Sequence, residues 1–224
     1  MNVILFGATG MVGQGVLREC LLASDVQSVL SIVRNPTGQQ HPKLRELVPS
    51  DFFDLSSIEP EFSGYDACFF TLGVSSAGMP EQQYNHLTYD LTLAAAQPLA
   101  RLNPGMTFIY VSGAGTDSSE SGRTMWARVK GKTENALLRL PFKAAYMFRP
   151  GAIQPLHGIT SKTRSVQIIY ALIKPILPLL KALFPRHIAT TEQVGRAMLN
   201  VARHGFPKPI LEAGDIIQSA STAA

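Results

Sequence analysis

Residues 2–17, NVILFGATGMVGQGVL, decide the fold of this 224-residue chain. Asn2–Phe6 is a short run of apolar and β-branched residues, which is the composition of a buried strand. Gly7 ends that run, and Met11–Ala23 then places apolar side chains at positions 12, 16, 17, 20 and 21, the spacing of one helical face. The sequence therefore predicts a strand, a glycine-rich turn and a helix at the amino terminus.

The same alternation of strand and helix continues along the chain. Further strands are predicted at Ser28–Val33, Asp51–Asp54, Asp66–Leu72, Thr107–Val111 and Ala144–Phe148. Helices are predicted at Gln82–Leu102, with a kink at Pro98, at Met125–Leu140, and after a capping box of Thr190 and Gln193, where Gly205 ends the helix. Strands that alternate with helices form βαβ units around a parallel sheet. The predicted fold is therefore α/β, with a doubly wound parallel sheet.

The composition is that of an ordinary globular protein, with 46% hydrophobic and 16% charged residues. We expect a single domain over residues 1–224, in which residues 152–189 form a substrate-pocket cap or an interface. The formal net charge is +4, but the basic residues are scattered along the chain. This distribution argues against binding to nucleic acid.

The two cysteines, Cys20 and Cys68, lie among apolar residues and have no metal-ligand spacing to another Cys or His. They are predicted to be buried free thiols in a reducing compartment, and no metal site is predicted. The amino terminus has no basic segment before its apolar run, which is unlike a signal peptide. These observations favour a cytoplasmic location.

The first turn carries three glycines, Gly7, Gly10 and Gly13, each separated by two residues. This spacing places glycine where the backbone must turn sharply, approach a ligand closely and pack helix against strand. The turn, which includes Thr9, leads into the helix. The free N–H groups of the first helical turn, near Met11 and Val12, would then face a pyrophosphate. The turn predicts dinucleotide binding, and a purely structural turn is the alternative.

Residues at three further predicted strand ends bear on the cofactor. Arg34 follows the second strand, where an NAD-specific site would carry Asp or Glu, and a guanidinium there favours the 2′-phosphate of NADP. NADP(H) is therefore favoured, with NAD(H) as the alternative; a solvated arginine without a cofactor role is the other interpretation of Arg34. Asp54 and Leu55 are placed to meet the adenine, and Gly73 leaves room for the ribose, unless it only ends a strand.

These residues resemble a short-chain dehydrogenase/reductase of the extended, epimerase-like or atypical type, over about residues 1 to 205. The order and spacing are most similar to the Tat-interacting-protein branch, including VKG at 129–131 and FRPG at 148–151. The matching stretches are the three glycines, Asp54-Leu55, Thr71-Leu72-Gly73, Val111-Ser112, Lys130 in the frame of a YxxxK motif, and Phe148-Arg149-Pro150-Gly151.

The resemblance implies a nicotinamide cofactor across the strand ends, with substrate held by the last third of the chain. Leu72, Gly73 and Lys130 are expected at this cofactor. The same expectation holds for Arg149, Pro150 and Gly151.

The catalytic residues match the family only in part. In such reductases the tyrosine of YxxxK protonates the carbonyl oxygen, the lysine binds the ribose and lowers the pKa of the tyrosine, and a serine after the fifth strand orients the substrate. Lys130 is retained, whereas the tyrosine position is Trp126. Ser112 keeps the first residue of the usual Ser-Ser pair, but the second is Gly113.

A tryptophan at position 126 cannot be the general acid, because an indole N–H donates a hydrogen bond without releasing its proton. Trp126 can polarise a carbonyl, stack on the nicotinamide or form a pocket wall. A proton must then come from elsewhere. The alternatives are Ser112 through water, Tyr84 or Tyr89 from the preceding helix, and His157 in the loop beyond Gly151.

Residues 165–184 form a very apolar stretch that Pro175 and Pro178 interrupt. The prolines and two lysines argue against a membrane span. A broken helix pair that caps the substrate pocket or forms a dimer face is the preferred interpretation. The alternative is an interfacial segment that contacts a membrane surface weakly. Its basic residues would be Lys162, Arg164, Lys174, Lys181 and Arg186.

Two functional hypotheses follow from these motifs. The first is an NADP(H)-dependent oxidoreductase that acts on a small apolar carbonyl or hydroxyl substrate, as a monomer or homodimer. The second is a catalytically weak or inactive cofactor-binding sensor or scaffold, which has kept the nucleotide site and lost the acid.

Overall fold

The computed structural model of the chain describes residues 1–159 and 187–221. Within them the strands are β1 Asn2–Phe6, β2 Ser28–Ile32, β3 Leu44–Leu47, β4 Ala67–Phe70, β5 Thr107–Val111, β6 Ala144–Arg149, β7 Ala152–Gln154, β8 Ile188–Thr190 and β9 Ile210–Glu212. The α-helices are α1 Met11–Leu22, α2 Glu81–Asn85, α3 Leu91–Leu102, α4 Met125–Leu138, α5 Thr191–His204 and α6 Ala213–Ser221. A 3₁₀ turn spans Glu59–Phe62, and a π-helical turn, His86–Asp90, joins α2 to α3.

Seven strands form one sheet in the order β3-β2-β1-β4-β5-β6-β9, and every neighbouring pair is parallel. The order runs outward from β1 in both directions, so the direction of winding reverses between β1 and β4. In open α/β sheets such a reversal is where ligands bind, beyond the carboxyl ends of the strands. The predicted α/β, doubly wound sheet is confirmed.

Both faces of the sheet are covered, which explains why its central strands β1, β4 and β5 are mostly apolar. Successive side chains of a strand point to opposite faces. Val3 and Leu5 accordingly belong to the core beneath α1 and α5, whereas Ile4 and Phe6 belong to the core beneath α3 and α4. All four side chains are fully buried.

The predicted strand at Asp51–Asp54 is wrong, because the third strand is Leu44–Leu47. The carboxylate of Asp51 accepts the backbone N–H of Phe53 at 2.8 Å, and that of Asp54 accepts the N–H of Ser56 at 3.0 Å. These local turns compete with strand formation. The true strand lies at the edge of the sheet and is half exposed, so its sequence lacks the apolar signal of the central strands.

The long helix predicted at Gln82–Leu102 is present in three pieces. Its irregular part is the π-helical turn His86–Asp90, whereas Pro98 lies inside α3, which continues to Leu102. The sequence therefore located the helix but not its interruption.

The end of the described chain adds elements that the sequence did not predict. β9 pairs with β6 and supplies the seventh strand, and α6 follows it directly. The capping box that opens α5 is confirmed, since Thr190 Oγ1 accepts the N–H of Gln193 at 3.0 Å and the Thr190 N–H donates to Gln193 Oε1 at 2.9 Å. Gly205 ends the helix with a φ of 74°.

The segment 165–184 lies outside the described residues, so its capping, interfacial and dimer roles stay predictions. Of residues 152–189, the described ends form a separate parallel pair, β7 with β8. No helix in residues 1–159 or 187–221 is long and apolar enough to cross a membrane. Cys20 and Cys68 are both buried free thiols, as predicted, and burial raises the pKa of each.

Helices α1 and α5 cross with their backbones in close approach. A Cβ at Gly15 would lie 2.6 Å from the carbonyl oxygen of Thr191, and a Cβ at Gly195 would lie 2.7 Å from Glu19 Cγ. The two glycines therefore set the distance between these helices.

Replacing Gly15 with alanine tests this crossing. In an open helix Gly→Ala is stabilising by about 1 kcal/mol, but here the methyl group would meet the backbone of Thr191. We expect the free energy of unfolding to fall by about 1 to 3 kcal/mol, measured by urea denaturation followed by circular dichroism. Gly105→Ala is the control, because no described atom lies within 4 Å of its Cβ position. A Gly15→Ala variant as stable as the parent would contradict the interpretation.

Candidate active site

The turn between β1 and α1 requires glycine at two positions for different reasons. Gly7 has a φ of 90°, and a Cβ there would lie 2.8 Å from the backbone nitrogen of Leu72. A Cβ at Gly13 would lie 2.0 Å from the carbonyl oxygen of Gly7, so the first turn of α1 rests directly on β1. Gly10 donates its N–H to that same oxygen at 2.9 Å. The turn is thus closed by backbone contacts.

The amino terminus of α1 fits a diphosphate. The N–H groups of a first helical turn have no partner within the helix, and those of α1 follow Gly10 without a side-chain cap or an acidic residue in the turn. The side chain of Gln14 donates to the carbonyl oxygen of Thr9 at 3.2 Å, which fixes the approach to Met11 and Val12. An anion at this position would receive both the free N–H groups and the favourable end of the helix dipole.

The end of β4 is bound to the glycine turn. Thr71 donates to the carbonyl oxygen of Phe6 twice, from its N–H at 2.9 Å and from its hydroxyl at 2.7 Å. Leu72 is half buried, and no described atom lies within 4 Å of a Cβ placed at Gly73. Leu72 and Gly73 therefore lie beside Gly7, with open space at Gly73, as the prediction of a ribose contact requires.

The residues predicted for the adenosine end differ in their surroundings. Arg34 is exposed two residues beyond β2, and no hydrogen bond or ion pair within the described part of the chain engages its guanidinium. Asp54 is exposed, and hydrogen bonds from Ser56 lower the pKa of its carboxyl. Leu55 is buried in the core beneath α3. Its side chain packs inside the protein, so a contact of this pair with adenine stays a prediction.

Helix α4 places Lys130 at the carboxyl end of β5. The ammonium Nζ donates to the carbonyl oxygen of Val111 at 3.4 Å and lies 5.4 Å from the centre of the Tyr110 ring. Desolvation by burial lowers the pKa of Lys130 to about 8, against the opposing effect of the Glu134 carboxylate. The lysine therefore lies at the sheet edge that carries the glycine turn.

Trp126 lies on α4, one helical turn before Lys130, and is half buried. A Cβ at Gly115 would lie 3.6 Å from its Cη2, so the indole packs against the loop that follows β5. Its role as a pocket wall stays a prediction, as do stacking on the nicotinamide and polarising a carbonyl.

Ser112 is bound within the protein. Its hydroxyl donates to Glu134 Oε1 at 2.5 Å and also lies 3.2 Å from the carbonyl oxygen of Phe148. Glu134 is fully buried, and Arg149 is its cationic partner, with Nε 3.0 Å from Oε1 and Nη2 bonded to Oε2. Ser112 therefore anchors a buried ion pair between α4 and β6.

The guanidinium of Arg149 is occupied by internal partners. Besides Glu134 it donates to Ser118 Oγ at 2.5 Å and lies 3.4 Å from Glu212 Oε1. The hydrogen bond to Glu134 raises the pKa of Arg149. These contacts give Arg149 a packing role, and its predicted contact with the cofactor stays a prediction.

The neighbours of Arg149 are also held by backbone contacts. The carbonyl of Pro150 accepts the N–H of Ala114 at 2.9 Å, and a Cβ at Gly151 would lie 2.8 Å from the carbonyl oxygen of His187. The FRPG stretch thus joins the loop after β5 to the start of β8.

Sequence reasoning missed Glu134, although two signals were present. It follows Lys130 by four positions, one helical turn along the same face. It also lies on a helix that carries a buried face, where a carboxylate needs a cation such as Arg149. Neither signal identifies Arg149 as that partner without the tertiary structure.

The other predicted proton donors are engaged elsewhere. Tyr84 is 2% exposed, and burial raises the pKa of its phenol. The Lys132 ammonium lies 4.1 Å from the centre of the Tyr89 ring. His157 Nε2 lies 2.7 Å from Glu192 Oε2 on α5. No described contact brings any of the three to Lys130 or Trp126.

The loop between β5 and α4 is pressed against that helix. A Cβ at Gly131 would lie 1.8 Å from the carbonyl oxygen of Asp117, which accounts for the glycine of the VKG stretch. Asp117 organises the loop by accepting the hydroxyl of Ser119 at 2.6 Å and the N–H of Gly122 at 2.7 Å, and the first of these bonds lowers the pKa of its carboxyl. The loop against which Trp126 packs is therefore held directly on α4.

A family model described as NAD(P)H-binding matches residues 7–139, more than half of the chain. The chain belongs to this NAD(P)H-binding family. The match begins at the first glycine of the turn and ends just beyond α4, so it includes Lys130.

Two named relatives are similar over most of the same region. Protein FMP52, mitochondrial, of Eremothecium gossypii is 31% identical over 155 residues, which cover 68% of this chain and 66% of that protein. Protein HTATIP2 of Rattus norvegicus is 27% identical over 154 residues, which cover 68% of this chain and 62% of that protein. The match spans less than two thirds of each relative's length.

Solved structures with the same fold include two with bound ligands. The Bordetella bronchiseptica enzyme WbmF, in complex with NAD+, has a TM-score of 0.69 at 16% identity, covering 98% of this chain and 77% of that one. UDP-glucose 4-epimerase of Thermotoga maritima, with UDP-glucose, has a TM-score of 0.66 at 13% identity, covering 95% and 76%. The resemblance to extended short-chain dehydrogenases/reductases is confirmed in the fold, and the family match shows that the chain belongs to an NAD(P)H-binding family.

The buried ion pair yields a stability prediction. Glu134→Ala would leave the buried guanidinium of Arg149 without its carboxylate partner. We expect the free energy of unfolding to fall by about 3 to 5 kcal/mol. Thermal and urea unfolding would measure the loss. Glu120→Ala, which removes an exposed carboxylate bonded to Asn135, is the control and should change stability by less than about 0.5 kcal/mol.

A double variant, Glu134→Leu with Arg149→Met, separates pairing from packing. It should recover much of the loss, because no buried charge then lacks a partner. Equal instability of the single and double variants would show that shape, rather than charge, is what the pair provides.

Proposed function

We propose that this chain is an NADP(H)-dependent oxidoreductase that interconverts a small apolar carbonyl compound and its alcohol. The observation that carries the proposal is the position of Lys130, half buried at the carboxyl end of β5 beside the loop that holds Trp126. A lysine exposed on the outer face of a helix would be solvated and would not bind the carbonyl at the end of a strand, as Lys130 does. In the short-chain dehydrogenases/reductases that the sequence resembles, this is where a lysine meets the nicotinamide ribose.

Arg34 supports NADP(H) over NAD(H). It has no partner within the described residues and follows β2 at the position that selects between the two cofactors. A cavity of about 750 Å³ extends from Thr9 of the glycine turn, along Gln14 and Arg18 on α1, to Asn35 and Thr37. Arg34 itself does not line this cavity, but the cavity reaches Asn35, the residue that follows it, so there is space for a 2′-phosphate close to the guanidinium.

A second cavity supports a small apolar substrate. It has a volume of about 580 Å³ and lies beyond the carboxyl ends of β6 and β9, next to the loop after β5. Most of its described lining residues are small or apolar, and Glu212 is the charged one. They are Ala114, Gly151, Ala152, His187, Ile188, Glu212, Ala213 and Gly214.

NADPH, when bound, supplies the hydride. The glycine turn and the amino terminus of α1 hold its diphosphate, and Lys130 binds at the ribose end. Trp126 and the Asp117 loop exclude water from one side of the site, and the indole can donate a hydrogen bond to the substrate without losing its proton. The chain's contribution is therefore largely positioning, which alone can supply several kcal/mol of the barrier.

A second function is favoured by a separate observation. Ser112 directs its hydroxyl to Glu134, and position 126 holds an indole. A chain whose substrate-orienting serine is bonded elsewhere and whose proton-donating tyrosine is replaced can serve as a cofactor-binding sensor or scaffold without turnover. The two functions share the cofactor site and differ only in chemistry.

The test is NADPH oxidation with a panel of small apolar aldehydes and ketones, followed by the loss of NADPH absorbance. We expect turnover that Lys130→Ala lowers by at least about 100-fold without a change in unfolding temperature. NADPH binding without turnover of any carbonyl would favour the sensor. Turnover that survives Lys130→Ala would contradict the site assignment.

The cofactor preference has its own prediction. Arg34→Asp should weaken NADPH binding by at least about 30-fold, because a charge-assisted bond to the 2′-phosphate is replaced by repulsion. NADH binding should change by less than about threefold. Isothermal titration calorimetry would measure both, with Arg139→Asp as the control, since Arg139 is an exposed arginine at the carboxyl end of α4. Equal losses for the two cofactors would show that Arg34 does not read the phosphate.

The substrate cavity is tested by filling it. Ala114→Leu should raise KM for the best carbonyl substrate by about tenfold while leaving the Kd for NADPH unchanged, because the added carbons occupy about one substrate group's volume. Gln27→Leu adds an exposed leucine just before β2, at the opposite edge of the sheet, and is the control. An unchanged KM in Ala114→Leu would place the substrate elsewhere.

A further inference from the structure

Reduction of a carbonyl needs one proton at the oxygen, and the position of the usual donor is Trp126. We infer that Lys130 is itself the proton donor of this site. The inference rests on the proposed function and goes beyond it, because it moves the acid from the tyrosine position to the lysine one helical turn later.

The ammonium of Lys130 has more N–H donors than it has hydrogen-bond partners among the described residues. A lysine carries three N–H donors, and Nζ makes one long hydrogen bond of 3.4 Å to Val111 and faces the Tyr110 ring at 5.4 Å. Within the described residues, no carboxylate forms an ion pair with it. Two N–H groups therefore remain for a hydroxyl or carbonyl oxygen at the strand ends.

The competing donors within the described residues point away from this position. The Ser112 hydroxyl donates to Glu134, so its proton is directed into the buried ion pair. Tyr84 is 2% exposed, and His157 pairs with Glu192. The indole N–H of Trp126 does not release its proton. Lys130 is the remaining acid next to Trp126 in the part of the chain that the structure describes.

The groups around Lys130 explain why it can give up a proton. Tyr110 on β5 faces it with a ring, and burial raises the pKa of that phenol, with Tyr84 on α2 adding to the effect. Glu134 on α4 would hold the proton on Lys130, but its carboxylate is bonded to Arg149 of β6. Desolvation therefore dominates and lowers the pKa of Lys130 to about 8, close to an ordinary working pH.

The proposed step balances in atoms and electrons. A hydride forms a new C–H bond at the carbonyl carbon, the C=O π bond breaks, and an N–H bond of Lys130 breaks as the oxygen gains its proton. The carbonyl is reduced to an alcohol, NADPH is oxidised to NADP⁺, and Lys130 becomes a neutral amine that regains its proton from water. In the reverse direction the neutral amine accepts the proton.

The sign of the pH dependence follows from this step. Carbonyl reduction needs protonated Lys130, so the rate of hydride transfer should be constant below about pH 8 and fall tenfold per pH unit above it. Alcohol oxidation needs the neutral amine, so its rate should rise with pH up to about pH 8 and be constant above it. Single-turnover measurements at saturating NADPH separate this effect from binding.

The variants are chosen to keep the fold and the charge. Lys130→Arg retains a cation that cannot deprotonate, so hydride transfer should fall by about 100-fold or more and lose the break near pH 8. Measuring this rate at saturating NADPH keeps any change in the Kd for NADPH out of the comparison. Lys143→Arg, at the opposite edge of the sheet before β6, is the matched control and should keep both the rate and the break.

Trp126→Tyr adds a second test. A phenol at this position would provide an acid of its own, so the rate should increase and the break in the pH profile should move away from about 8.

A readout without turnover is competitive acetylation of lysines across a pH series, read by mass spectrometry. Lys130 should become reactive near pH 8, well below the ordinary lysine value of about 10.4, and bound NADP⁺ should protect it. An ordinary lysine profile at position 130 would overturn the inference.

The outcomes distinguish the inference from the function on which it rests. Turnover with no break near pH 8, or with the break intact in Lys130→Arg, would overturn the proton-donor assignment alone. Binding of NADPH with no reduction of any carbonyl would overturn the proposed function and the assignment with it.

Discussion

The contact between the first turn of α1 and the carbonyl of Gly7 is the constraint on which the rest of the site depends. With a side chain at Gly13 the helix could not approach β1, since its Cβ would lie 2.0 Å from that oxygen. Because the approach is so close, the uncapped end of α1 opens directly at the carboxyl edge of the sheet. The end of β4 is then bound to the same point through Thr71 and Phe6. The candidate cofactor site is thus a consequence of backbone packing.

The second organising interaction is the buried pair of Glu134 and Arg149. It joins α4 to β6 and takes up the hydroxyl of Ser112, so a group that orients substrate in related reductases here serves the packing of the helix. The same helix presents Lys130 and Trp126 to the strand ends. Because the Glu134 carboxylate is already bonded to arginine and serine, it raises the pKa of the neighbouring Lys130 less than desolvation lowers it. The ion pair that stabilises α4 therefore also bears on the pKa of the lysine.

Sequence patterns located most of the sheet because its central strands are covered on both faces. The runs in β1, β4 and β5 are apolar apart from the first residues of β1 and β5, Asn2 and Thr107, and short apolar runs of this kind are typical of strands buried in a parallel sheet. The edge strand β3 lacks this pattern, since its sequence LREL is half exposed, and the aspartates at 51 and 54 lie in two local turns where a strand was predicted. The short strand β9 was missed because three residues give no periodic signal. Its partner β6 also lies about 60 residues earlier in the chain, so no local pattern indicates the pairing.

The sequence by itself determined the class of fold, the glycine turn, the capping box of α5 and the frame that holds Trp126 and Lys130. These features are local: each depends on residue types within a few positions of one another, where sterics and short-range hydrogen bonds decide the outcome. Only the tertiary structure decided that Ser112 binds Glu134, that Arg149 faces inward, and that burial makes the ammonium of Lys130 acidic. Those properties arise from desolvation and from partners distant in the chain, and neither is encoded in any single stretch of sequence.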